Sequence, residues 1–185
     1  MELPFKELLS EQALNEIYKI LTPIYLKKGT LLISDLKLEK NAYFIQEGII
    51  KSFLNTEDKE VIFWFAKEGD ILNSANGYYY KQKGYENYRA LEDCVLLKIN
   101  IAQIQKLYIE NLEISNWSRL ITEREAIRVE ERLLDYLVLS PEKRYLKLRE
   151  RNPDLFQRVQ LKEIASYIGI SAVSLSRIRA RLLEK

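Results

Sequence analysis

From Glu113 to Leu139 the chain runs without a glycine or a proline. Charged residues are dense along this stretch, and Leu120, Ile127 and Leu134 recur every seven residues, with Trp117, Ile121 and Leu137 near the same line. Such a run has one regular solution, a single long helix of about 40 Å. It separates a part that reads mostly in strands from one that reads only in helices. The seven-residue repeat suits a seam between two copies of the chain, through Trp117, Leu120, Ile121, Ile127 and Leu134. Glu123, Arg124 and Glu131 interrupt a strict heptad, so the alternative is a helix packed only on its own chain.

Ahead of that helix the period is short. Ser10 is placed to cap a first helix with Ala13, Leu14, Ile17 and Leu21 on one face, closed by Pro23. Then follow TLLIS, NAYFIQEG, IIKSFLN, EVIFWFAKEGD, YENYRALED and CVLLKI, separated by turn-prone clusters such as KKG and NTEDKE. Six or more short strands rich in β-branched and aromatic residues predict an antiparallel roll over about 23–100. Ile101, Ile104, Leu107 and Tyr108 predict a short helix after it. Beyond the long helix, Ser140-Pro141 starts another that Asn152-Pro153 ends. The expected division is a roll over 1–112, a connecting helix over 113–139 and a helical domain over 140–185.

The chain has no histidine and one cysteine, Cys94. That removes the usual general base, His-ligated zinc and haem, and any internal disulfide. A cupin-like enzyme, which shares the roll, normally needs histidines at its metal. No cofactor or metal and no enzymatic activity are expected. Cys94, in an apolar strand, reads as a buried thiol rather than a redox sensor. Without an apolar run of membrane length or a signal-peptide pattern, the expected setting is cytoplasmic.

Net charge is uneven. Residues 1–110 carry 14 basic and 16 acidic side chains, and residues 111–185 carry 15 and 11. Residues 155–185 alone hold six basic and two acidic groups. A local basic excess suits a polyanionic partner.

In that basic segment Leu161, Ile164, Ala165 and Ile168 form one helix face. Gly169 supplies a left-handed stop, Ile170 a corner plug, and Ser171 an N-cap for a second helix. There Leu175, Ile178 and Leu182 turn inward. Val173, Ser176, Arg177, Ala180 and Arg181 fall on the opposite face at about 100° per residue, with Arg179 on the flank. This is a helix-turn-helix pattern. Small side chains and two guanidinium groups suit entry into a major groove. The expected DNA-binding set is Ser171, Ala172, Val173, Ser174, Ser176, Arg177 and Arg181. A purely structural helical hairpin is the alternative.

The order of roll, long helix and terminal helix-turn-helix resembles the Crp/Fnr family of bacterial transcription regulators, in particular short members found in Bacteroidetes. KEIASYIGISAVSLSRIRARL carries the resemblance most specifically, supported by AYFIQEGIIKSF, FAKEGDIL and ERLLDYLVLSPEKRYLKLRERNPDLFQRV. It implies an α+β fold: an antiparallel cyclic-nucleotide-binding-like roll, a dimerisation helix, and a winged-helix-like terminal domain without its wing, since the sequence stops at Lys185. It also implies a homodimer on a near-palindromic promoter site of double-stranded DNA.

Two departures from the family pattern matter. Cyclic-nucleotide-binding members carry a Gly-Glu pair for the ribose and an Arg-Ser/Thr pair for the cyclic phosphate. Here Asn73-Ser74 and Gly84-Tyr85 stand instead, so cyclic AMP binding is not expected. A pocket for another small effector could draw on Asn73, Ser74, Tyr85, Tyr88 and Arg89. In the recognition helix, Ala172 and Val173 replace the family's usual arginine or glutamate, while Arg177 is kept, so the target sequence should differ. A small-molecule sensor or protein-interaction module with a helix-turn-helix that no longer binds DNA is the alternative function.

Overall fold

The structure, a computed structural model, describes residues 2–183. The chain divides into two compact units. The first gathers the residues up to Ser52 with Phe65–Glu125; the second gathers Phe53–Trp64 with the chain from Ala126 onward.

In the first unit, Ser10 caps α1 (Glu11–Ile20), its Oγ accepting the Ala13 N–H at 3.2 Å. The predicted closure at Pro23 is corrected. The helix ends at Ile20, and Leu21 and Pro23 lie in β1 (Leu21–Leu26). β1 is an edge strand, where a proline costs no ladder bond. The strands that follow are β2 (Leu31–Ile33), β3 (Asn41–Glu47), β4 (Ile50–Asn55), β5 (Glu60–Ala66) and β6 (Ile71–Leu72). A short helix, α2 (Ala75–Tyr79), precedes β7 (Asn87–Ala90) and β8 (Cys94–Asn100). They form two four-stranded sheets, β1-β8-β3-β6 and β2-β7-β4-β5. β8 pairs antiparallel with both neighbours, setting Ile99 opposite Leu21 and Ala42.

β8 leads into α3 (Ile101–Glu110) and the long helix α4 (Leu112–Val138). One hydrophobic core joins α1, α3, the sheet and the start of α4 through Ile17, Phe44, Leu97, Ile99, Ile104, Ile114, Trp117 and Ile121. The Trp117 ring lies 5.9 Å from Phe44, and its Nε1–H donates to the Pro4 carbonyl at 2.6 Å. Glu113 meets Ser10, accepting its hydroxyl at 2.8 Å and its N–H. The expectation that Trp117 and Ile121 belong to the seam is therefore corrected: both are buried in their own chain's core. Leu120 is half-buried, and Ile127 and Leu134 are exposed.

Gly48 makes the β3–β4 turn at φ +102°, and a Cβ there would lie 2.5 Å from Cys94 Sγ. Cys94 is buried, and burial, reinforced by the Glu92 carboxylate, raises its thiol pKa to about 11. At neutral pH it is a protonated packing group, as expected of a cysteine in an apolar strand.

The second unit holds the tip of the β4–β5 hairpin, the rest of α4, and α5 (Pro141–Arg151), α6 (Leu155–Arg158), α7 (Leu161–Ile168) and α8 (Ala172–Leu183). Ser140 caps α5 with Pro141 at its first turn, and Asn152 ends it. Phe53, Ile62, Tyr145, Leu155, Val159, Ile164, Ala165, Ile168, Leu175 and Ile178 are its buried apolar side chains among the described residues.

Candidate nucleic-acid interface

Several fixed points orient α8. Gly169 ends α7 at φ +80°, and its missing Cβ would lie 2.5 Å from the Tyr136 hydroxyl oxygen. Only glycine meets both demands without a shift of the backbone or the ring. The carbonyls at the end of α7 are then taken by two arginines. Arg132 donates to Tyr167 O at 2.9 Å and lies 3.6 Å over the Tyr167 ring. Arg144 donates to Ile168 O at 3.1 Å, and to Leu139 O and Tyr136 O. Cations at a helix C-terminus satisfy its orphan carbonyls and its dipole. They tie the turn to α4 and α5. On the side of the hairpin, Ser166 Oγ accepts the Ile62 N–H at 3.1 Å and donates to Glu60 O at 3.2 Å.

The second helix turns as its period requires. Leu175 and Ile178 are buried; Ala172, Val173, Ser176, Arg177, Ala180 and Arg181 are exposed. Arg179 sits half-buried on the flank. Ser171 and Ser174 face each other: the Ser171 Oγ accepts the Ser174 N–H at 3.1 Å, and the two hydroxyls lie 3.0 Å apart. Their first use is to cap the helix. The two outward arginines also differ. Arg181 reaches Glu142 on α5 at 3.3 Å, an acid the helix alone does not reveal. Arg177 forms no ion pair among the described residues. A groove of about 650 Å³ beside α8 is lined by Pro141, Ile170, Ser174, Arg177, Ile178, Ala180 and Arg181.

The roll holds the second candidate set. Asn73, Ser74 and Tyr88 converge: the buried Tyr88 hydroxyl donates to Asn73 O at 3.1 Å, and the buried Ser74 caps α2. Burial, with the Glu86 carboxylate adding to it, pushes the Tyr88 phenol well above its usual range. Tyr85 is exposed, so its ring does not join them. Arg89, opposite Leu31 on β7, follows Tyr88 by one residue and so faces the other side of the strand. The residue missed from sequence is Glu86, only 3% exposed. Its Oε2 accepts the Tyr85 N–H at 3.0 Å, and its Oε1 has no hydrogen-bond partner among the described residues. A Cβ on Gly84 would meet that Oε1 at 2.5 Å and Ser74 Oγ at 2.6 Å.

The sequence model of the cyclic nucleotide-binding domain family matches residues 23–111. No curated protein sequence matches the chain. Among solved structures, a CooA mutant from Carboxydothermus hydrogenoformans is similar at a TM-score of 0.76 and 17% identity, covering 99% of this chain and 85% of that one. FixK2 from Bradyrhizobium japonicum gives 0.76 at 16% identity, over 89% and 85%. A protein assigned to the Crp/Fnr family of transcriptional regulators, from Eubacterium rectale, gives 0.76 at 15%, over 98% and 88%. Residues 23–111 thus match the cyclic nucleotide-binding domain family, and the chain shares the fold of a protein assigned to the Crp/Fnr transcriptional regulators.

Proposed function

We propose that the chain is a sequence-specific DNA-binding transcription regulator that acts as a cytoplasmic homodimer and has no enzymatic activity. The observation that carries this reading is the outer face of α8. It is narrow, free of acids of its own among the described residues, and bears Arg177 and Arg181 one turn apart in solvent. Arginine pairs bidentately with guanine or holds phosphate, and small neighbours let the helix backbone approach the bases. The exposed Ile127, Leu134 and Leu137 on the later part of α4 favour a second copy as the partner in that region. Among the described residues no helix is long and apolar enough to cross a membrane. The roll does not take cyclic AMP in this reading, because Gly84-Tyr85 stand in place of the Arg-Ser/Thr pair that the resemblance assigns to the cyclic phosphate, and the neighbouring Glu86 is a buried acid. An effector of the roll would be a different small molecule.

The test is selection of bound duplexes from a random pool by the purified protein. A palindromic or near-palindromic sequence is the expected product, one half-site per protomer. Failure to hold any duplex at low ionic strength would overturn the reading.

A further inference from the structure

We infer that Val173 reads a thymine through its 5-methyl group, next to the base that Arg177 reads. This rests on the regulator reading and deepens it. Val173 is 61% exposed on the first turn of α8 and packs into no core. Among the exposed residues of α8 that can neither donate nor accept a side-chain hydrogen bond, Ala172, Val173 and Ala180, it is the largest. The serines of the same turn are engaged in capping, Ser171 with the Ser174 N–H and hydroxyl. Ala172 carries only a methyl, so Val173 is the exposed side chain of the first turn with the most apolar surface to offer a base edge.

An isopropyl group has one suitable partner in the major groove. Thymine presents a methyl, whereas the exocyclic amino groups of cytosine and adenine, and the O6 and N7 of guanine, would lose water against it without a new hydrogen bond. The valine side chain is stiff in a helix, so it reaches the methyl with little rotamer entropy to lose. Ala172 and Ser176 beside it are small enough to allow the approach. Arg177 stands four residues on, about 6 Å along the helix axis. Residues three to four apart on a helix inclined in the major groove meet neighbouring bases. The half-site should therefore hold a thymine next to the base that Arg177 reads, and guanine is the base that its guanidinium suits.

The test uses the full chain and a duplex recovered from the random pool. Each thymine of the half-site is replaced in turn by deoxyuridine, which removes the methyl and keeps every hydrogen-bonding group. One position should weaken binding by about fourfold per half-site, the value of one buried methyl. Val173→Ala should bind the thymine duplex more weakly and be indifferent to the exchange at that position. Val173 lies on the surface, so the variant should keep the wild-type circular dichroism and melting curve. Wild-type binding unmoved by uracil at every position, or a Val173→Ala protein as sensitive as wild type, would overturn the inference while leaving DNA binding intact. Absence of binding to any duplex would instead remove the regulator reading beneath it.

Discussion

The turn into β7 and the outer face of α8 are built with opposite charge. The first buries the Glu86 carboxylate beside Ser74 and keeps glycine at position 84. The second exposes Arg177 and Arg181 beside small side chains. An anion placed there would meet a buried acidic side chain rather than a cation, which is costly. At α8 the same anion meets guanidinium groups already in solvent. In the proposed function the polyanion is held on the surface of α8 and not inside the roll.

The sharpest way to break this comparison is Arg177→Ala. It should weaken binding to a selected duplex by about 1–3 kcal/mol, measured by fluorescence anisotropy. It should leave the melting temperature almost unchanged, because the side chain is exposed. Gly169→Ala acts one step back, on the turn that aims α8. Its positive φ and the nearby Tyr136 hydroxyl predict a loss of about 1–3 kcal/mol of stability in urea unfolding. Ser171→Ala removes the cap of the same helix and should cost about 1 kcal/mol by the same measurement. The smallest expected effect lies in the roll. Millimolar cyclic AMP should leave the melting temperature unmoved, because a ligand that does not bind the native state cannot stabilise it.

Much of α7 and α8 is legible in the sequence. Their apolar residues follow the helical period, which puts Ile164, Ile168, Leu175 and Ile178 inside and Val173, Arg177 and Arg181 outside, as the structure has them. The glycine stop at Gly169 is legible too, whereas the reason it must be glycine, Tyr136 on α4, lies 33 residues upstream and is set only by packing. The long helix is legible as an element and only in part as a surface. A seven-residue repeat says that one side of a helix is apolar, and does not say whose chain covers it. Trp117 and Ile121 are covered by their own roll, while Ile127 and Leu134 are not. α2 escapes a sequence reading because SANGYYY has no apolar period, and β6 because it is two residues long. Glu86 is invisible for a different reason. An acid in a loop is ordinarily solvated, and only the closing of α2 and β7 around it takes it from water.

Affinity for DNA across salt concentration, compared between the wild-type protein and the Arg177→Ala/Arg181→Ala double variant, tests the account most directly. The wild type should lose affinity steeply as salt rises, in a straight line of log K against log salt. The double variant should bind more weakly, and its slope should be shallower by about 1 for each phosphate that it no longer neutralises. Equal affinity and equal slope in the two proteins would show that the outer face of α8 is not where this chain holds its polyanion.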